Sequence, residues 1–196
     1  MTEPEQPRSA RGVVVAAMVA LALLSFAGVL LLAAPWETPG SQPSGPAFAL
    51  VEPVGYDAIP DAESGGGPQT EASARRLLAV PALSGYRGGT LRAWAFRGTE
   101  LRAVVVLAAA FDTADAAERA GSAHVAAVRA AGATTFPVDL PGASGYRDVR
   151  DPQGRYVQRV VFARGTTLYV VGTVTPRRST DVSDVLTQAS RQYAAS

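Results

Sequence analysis

Ser144 and His124 are the residues whose types could together perform nucleophilic catalysis. Ser144 lies in PGASGY, where Gly142 and Gly145 do not have the G-x-S-x-G spacing of a hydrolase nucleophile. His124 is the only histidine of the chain and lies in an Ala-rich stretch with a helical pattern. A catalytic base is recognised by its geometry with a nucleophile, and a single helical histidine is more typical of a hydrogen-bonded structural side chain. The sequence therefore argues against a Ser/His/Asp hydrolase.

The sequence also contains few residues in a pattern that could bind a metal or a cofactor. Asp112, Asp115 and Glu118 cluster where a helix is predicted to start, and carboxylates can hold a hard cation. The same positions are favoured by the helix dipole, so we predict capping and no metal or cofactor. The chain has no cysteine, which excludes thiolate nucleophiles, disulfides and Cys-ligated metals. Paired Asp and Glu residues acting on a glycosidic bond remain open.

Two Tyr-Arg pairs are the best candidates for binding residues. Residues 81–87 spell PALSGYR and residues 141–147 spell PGASGYR, so Tyr86-Arg87 and Tyr146-Arg147 stand in equivalent places of a repeated phrase. Tyr and Arg are favoured anchors at interfaces. The alternative is structural: Ser-Gly before Tyr is also typical of a turn that enters a strand, with the ring packed on the sheet.

The residues after each phrase follow the same order. Apolar strand-like runs come first, with an Arg-Gly-Thr turn at residues 97–99 and again at residues 164–166, and a helical pattern comes last. One interpretation is a domain built from two similar ββα halves. The other is two ordinary β-hairpins, each followed by a helix, with a coincidental phrase.

The hydrophobic pattern predicts an α+β domain. Residues 101–111 are apolar on both faces, which indicates a central buried strand. Residues 156–163 and 167–175 flank a short Gly-containing turn and predict an antiparallel hairpin. Helices are predicted over residues 71–80, 113–131 and 181–194. Strands followed by a helix, twice, favour one antiparallel sheet with the helices across one face.

The N-terminal part of the chain predicts a membrane anchor. Residues 13–34 are uncharged and almost wholly apolar, which is long enough to span a bilayer as a helix. Arg8 and Arg11 precede this run, and the next arginine is Arg75. The positive-inside rule then places residues 1–12 in the cytoplasm and the C-terminal domain outside the cell. We expect a single-pass protein of the plasma membrane, held by residues 13–34.

Residues 35–70 are predicted to be an acidic linker rich in Pro and Gly, followed by a domain over residues 71–196. An apolar island at residues 48–59 interrupts the linker, and we expect it to dock on its own domain or on a partner. The domain holds sixteen arginines and ten acids. This balance indicates a solvated mixed-charge surface or a basic face for anionic lipids or an acidic polymer. No nucleic-acid partner is expected outside the cell.

Residues 140–193 resemble uncharacterised actinobacterial envelope proteins, membrane-anchored or secreted. The shared features are a Pro-Gly…Gly-Tyr phrase, a hydrophobic strand, an Arg-Gly-x-x-Leu-Tyr hairpin and a terminal helix with Gln. All eighteen basic residues are Arg and Ala is abundant, which also indicates a high-GC genome. Many such relatives are lipoproteins, whereas this chain lacks the cysteine for a lipid. The resemblance implies location and fold class and carries no activity.

The sequence therefore favours a non-catalytic, membrane-tethered extracytoplasmic module that binds a protein or an envelope component. A permanent accessory subunit of a larger membrane complex is one alternative. An enzyme of envelope polymers that uses Asp and Glu alone is the other.

Overall fold

The structure, a computed structural model, describes residues 47–150 and 154–196. It is an α+β fold with an eight-stranded antiparallel sheet and four helices. The helices are α1 (Asp61–Ser64), α2 (Glu71–Leu78), α3 (Ala114–Ala130) and α4 (Ser183–Ala195). The strands are β1 (Tyr56–Ala58), β2 (Gly67–Gln69), β3 (Tyr86–Phe96), β4 (Ala103–Phe111), β5 (Thr134–Phe136), β6 (Ser144–Arg150), β7 (Tyr156–Arg164) and β8 (Thr167–Thr175).

The strand order is β1-β3-β4-β8-β7-β6-β5, and β2 also pairs with β3. β4 and β8 form the centre of the sheet, and all nine residues of β4 are buried, as its two apolar faces predict. The edges consist of three-residue strands, β1 and β2 on one side and β5 on the other. A register shift in β6 between Tyr146 and Val149 contains Asp148, which has a left-handed φ of 67°.

The helices lie on both faces of the sheet, where we expected them on one. The first core packs α2 and α3 against Val105, Leu107 and Val170. The second core packs Val185 and Ala189 of α4 against the opposite face, which presents Trp94, Val104, Val106, Tyr169 and Val171. The expectation was wrong because these strands are apolar on both faces, and each apolar face requires a covering layer.

The domain begins before residue 71, although residues 35–70 were expected to be a linker. Tyr56 pairs with Phe96 through β1, and Gly67 pairs with Leu91 through β2. Residues 47–55 also lie on the domain, and Phe48 and Leu50 pack against the second core. Burial of these apolar side chains explains why the island at residues 48–59 docks on its own domain.

The two repeated phrases lie at unlike places in the sheet. Tyr86 begins β3, beside the central β4, whereas Tyr146 lies on β6, toward the far edge. If the two Arg-Gly-Thr turns were equivalent, β3 would correspond to β7 and not to β6. In two equivalent halves, β4 would correspond to β8, which is antiparallel to it, and the two-fold axis relating them would place α3 and α4 on the same face of the sheet. The two helices lie on opposite faces. The structure therefore does not support two equivalent ββα halves.

The predicted anchor at residues 13–34 lies outside the described residues. Within the part of the chain that the structure describes, no helix is long and apolar enough to cross a membrane. Arg150 of β6 pairs with Tyr156 of β7.

Candidate functional site

The first predicted pair, Tyr86 and Arg87, lies at the start of β3. The Tyr86 ring meets Phe111 edge-on with centroids 6.0 Å apart, and its hydroxyl donates to the Gln69 carbonyl at 2.7 Å. Burial raises the pKa of Tyr86 to about 12, so the hydroxyl keeps its proton. Arg87 is exposed and forms an ion pair with Asp112.

The second predicted pair, Tyr146 and Arg147, is in a different environment. The Tyr146 side chain is fully buried beneath α3, so its ring contributes nothing to the surface. Arg147 donates to the Thr180 carbonyl at 3.0 Å and thereby holds the β8–α4 loop. Strands β4, β8 and β7 lie between the two pairs, so the structure does not bring them together. A binding role for any of the four remains a prediction, and Arg87 is the best exposed of them.

Tyr146 takes part in a buried polar network that the sequence did not predict. Its hydroxyl lies 2.6 Å from His124 Nε2 and accepts from Arg159 Nη1 at 3.2 Å. His124 Nδ1 lies 2.6 Å from the Leu78 carbonyl oxygen. A carbonyl only accepts, so Nδ1 carries the hydrogen and Nε2 accepts from the tyrosine hydroxyl. The network joins α2, α3, β6 and β7 within the first core.

The surroundings of His124 keep its imidazole neutral. Burial, helped by the positive charge of Arg159, lowers the pKa of His124 from its ordinary 6.5 to about 4, although the bond to the Leu78 carbonyl opposes the shift. Both ring nitrogens are bonded, to Leu78 and Tyr146, so His124 is not positioned as a base for Ser144. The interpretation of His124 as a hydrogen-bonded structural side chain is confirmed.

The acidic cluster near residue 112 has structural partners. The Thr113 hydroxyl accepts from the Ala116 N–H at 3.2 Å and so caps α3, while Asp112 pairs with Arg87. Asp115 and Glu118 lie in or near the first turn of α3 and are exposed. Among the described residues, no group of three or more His, Asp or Glu side chains could hold a metal ion.

A cleft of about 540 Å³ opens on the face of the sheet that α4 covers. Its floor is Thr90, Arg92 and Trp94, which alternate along β3 and therefore share one face. One wall is an extended segment, residues 47–52, which we call the strap. Arg92 on the floor and Glu52 on the strap give the cleft opposite charges, and Arg92 also contacts Asp61 at 3.1 Å. The remaining lining residues are Ala47, Phe48, Leu50, Ala58, Pro68, Gly89 and Ala93.

A second cleft of about 480 Å³ lies on the opposite face, between α3 and β7. Gly121 and Val125 of α3 form one side, and Val161 and Leu168 of the sheet form the other. The charged side chains Glu118 and Arg129 also line it, as does Ser144.

The strap is held by polar side chains of α4. Gln192 accepts from the Val51 N–H at 2.9 Å and donates to the Ala49 carbonyl at 2.8 Å. Gln188 donates to the Val51 carbonyl, and Arg191 donates to the Glu52 carbonyl at 2.9 Å. Gln192 is fully buried and Gln188 is 3 % exposed. The sequence predicted a helix over residues 181–194 but not the bonds of its glutamines to the strap, since nothing local shows that the partner of Gln192 lies 141 positions away.

Comparisons with known proteins add little. No protein-family model matches the chain, and no curated protein matches it significantly. Among solved structures it is similar to the extracellular domain of PknH from Mycobacterium tuberculosis, with 14% sequence identity and a TM-score of 0.42. The match covers 57% of this chain and 66% of that chain, which is less than two thirds of its length. A similarity of this size carries no argument about function.

Proposed function

We propose that the chain is a non-catalytic, membrane-tethered extracytoplasmic module, and that the cleft between the strap and β3 binds a segment of a protein or envelope partner. The observation that carries the proposal is the composition of the cleft. Trp94, Phe48 and Leu50 supply apolar surface, while Arg92 and Glu52 supply one charge of each sign. Concave, mostly preformed sites with a few placed polar groups are the usual form of binding sites.

The position of the cleft also supports the proposal. One of its walls is the strap, and the chain runs from the strap back toward the predicted anchor at residues 13–34. A partner in the cleft would touch both the folded domain and the segment that leads to the membrane. This arrangement suits a module that reports or retains a partner close to the membrane surface.

The alternative of an enzyme using two carboxylates receives less support. Glycoside hydrolysis needs two carboxyl groups facing each other across one cleft. Glu52 is the one carboxylate among the residues that line the first cleft, and Glu118 is the one in the second. A permanent accessory subunit differs from our proposal only in how long the partner stays bound.

The proposal is tested by site-specific photo-cross-linking in the full chain, in the membrane of a host that produces it naturally. A photo-reactive residue replaces Ala47, which lines the cleft and is exposed, and in a control variant it replaces the exposed Arg119 on α3. We expect a cross-linked species of discrete mass from position 47 and none from position 119. Equal patterns from both positions would contradict the proposal.

A cleft-filling substitution sharpens the test. Ala58 is exposed and lines the cleft, so Ala58→Phe should abolish the cross-link from position 47. Asp57→Phe is the matched control, because its neighbouring position on β1 points to the other side and its ion pair with Arg97 is exposed. A cross-link that survives Ala58→Phe does not come from the cleft and would refute the assignment of the site.

The location is tested separately, by fusing alkaline phosphatase after Ser196. The enzyme folds only outside the cytoplasm, so an active fusion is expected and an inactive one would refute the predicted topology. A fusion of the same enzyme after residue 12 is the matched control and should be inactive.

A further inference from the structure

The bonds that hold the strap recognise main chain and not side chains. Gln188, Arg191 and Gln192 contact the N–H or carbonyl groups of residues 49, 51 and 52. Any extended segment presents the same groups at the same spacing. The groove beside α4 is therefore a site for an extended peptide, and the structure shows it occupied by a segment of its own chain.

The buried glutamines indicate that the groove must have an occupant. Gln192 is fully buried, and both its oxygen and its nitrogen bond to the strap. Without a segment in place, the two amides would lose these partners, and the apolar surface that Phe48 and Leu50 pack against would be less covered. Exposed apolar surface and amides without their strap partners both favour binding of an extended chain.

The strap itself is only partly buried and is connected by a short hinge. Phe48 and Leu50, two positions apart, direct their side chains at the second core but remain half-buried. The hinge between the strap and β1 is residues 53–55, where Val54 is 82% exposed and Gly55 has a φ of 84°. A change of conformation at the hinge would move the strap and leave β1 paired with β3.

We propose that the groove also accepts the strap of a second copy of this chain, so that two domains exchange straps and form a symmetric dimer. Exchange of an identical element lets the strap keep its bonds to α4 in the dimer, and only the hinge, which includes the buried Pro53, changes its surroundings. Three hinge residues reach about 10 Å when extended, which requires the two domains to lie side by side.

The second copy is the favoured occupant because its strap has the same sequence as the strap that fills the groove in the structure, and because it is tethered to the same membrane. Each strap continues toward a predicted membrane anchor, and two anchors in one bilayer would hold their straps at a high effective concentration near neighbouring grooves. The proposal concerns the groove beside α4 and does not depend on what binds in the cleft.

The test uses the fact that the full chain contains no cysteine. One tagged copy carries Glu52→Cys on the strap, and a second copy with a different tag carries Arg191→Cys on α4, where these two residues are in contact. Both are produced together as full chains in membranes and treated with a short bis-maleimide reagent. A linked product carrying both tags, formed above the level of random collision, requires the strap of one copy to lie in the groove of the other.

Two controls accompany this experiment. The pair Glu52→Cys and Arg119→Cys, with the second thiol on exposed α3, measures random collision. The double variant Glu52→Cys/Arg191→Cys in one chain shows that the reagent spans the groove.

We expect the strap–groove pair to give at least about tenfold more doubly tagged product than the collision pair, because a tethered site acts at a raised effective concentration. Adding Gln188→Ala and Gln192→Ala to the groove copy should return the product to the collision level. The proposal is overturned if the strap–groove pair equals the collision pair while the double variant links within one chain. It is also overturned if the product persists without the two glutamines.

Discussion

The hydroxyl of Tyr146 donates to Nε2 of His124, with 2.6 Å between the oxygen and the nitrogen. The other ring nitrogen, Nδ1, donates to the Leu78 carbonyl. The only histidine of the chain is thus held in one tautomer, inside the core, and cannot take up a proton without losing a bond. This relationship makes the fold sensitive to acid.

Stability should therefore fall as the pH falls below the ordinary pKa of histidine. The pKa of His124 is lowered from 6.5 to about 4 in the fold, so between these values the unfolded chain binds a proton that the folded chain does not. The stabilisation is complete above about pH 6.5 and about 3 kcal/mol of it is lost by about pH 4. Urea unfolding of the described domain across this range measures the slope, and His124→Phe, which cannot titrate, should flatten it. Equal slopes in both proteins would contradict the network.

The two tyrosines of the repeated phrase should respond differently to loss of the hydroxyl. Tyr146→Phe leaves His124 without its buried donor and should cost about 1–3 kcal/mol. Tyr86→Phe removes one bond to the Gln69 carbonyl at a half-buried position, and about 0.5–1.5 kcal/mol is expected. The comparison is made by urea unfolding at neutral pH, with each variant serving as the matched control for the other. If Tyr86→Phe lost more unfolding free energy than Tyr146→Phe, the assignment of Tyr146 to the buried network and of Tyr86 to a half-buried site would be wrong.

Replacing Gln192, which makes two of the bonds to the strap, should release the strap without unfolding the domain. Gln192→Ala removes the acceptor of the Val51 N–H, so hydrogen exchange at Val51 should become fast while exchange in β4 stays slow. Arg191→Ala is the control, because its single bond goes to the exposed Glu52 and Val51 should stay protected. Protection of Val51 that survives Gln192→Ala would mean that other contacts hold the strap.

Loss of the Arg87 side chain should change stability very little. Its ion pair with Asp112 joins side chains that are 68% and 42% exposed, and exposed pairs contribute about 0–1 kcal/mol. Arg87→Ala is therefore expected to unfold at nearly the same urea concentration as the wild-type domain. Arg147→Ala, which removes a bond to the Thr180 carbonyl, should cost more. A binding defect in Arg87→Ala could then be assigned to the surface and not to misfolding.

Local pattern predicted the long elements of the fold. The helix expected at residues 113–131 is α3, Ala114–Ala130, and the hairpin expected around Gly165 is β7 and β8. These elements are long and periodic, so their own residues determine them. Strands β1, β2 and β5 have three residues each and depend on pairing with distant strands, which gives no periodic signal.

The same distinction applies to the candidate sites. The strap was foreseen only as an apolar island, because Phe48 and Leu50 are visible in the sequence but the main-chain groups of residues 49–52 are not. Helices on both faces could have been inferred from β4 and β8, where Val104, Val106, Tyr169 and Val171 place large apolar side chains on the second face as well. Tyr86 and Tyr146 show the opposite case, since a shared phrase did not lead to a shared environment.

The short outer strands and the register shift at Asp148 affect how readily the protein can aggregate at high concentration. A long flat edge strand invites another sheet to continue it, and this is how many β-rich proteins begin to aggregate. Here three-residue strands end the sheet on both sides, and the register of β6 shifts at the left-handed Asp148, whose carboxylate accepts from Arg178 at 2.8 Å. Among the strands that the structure describes, neither edge is a long regular template of the kind from which amyloid fibrils grow.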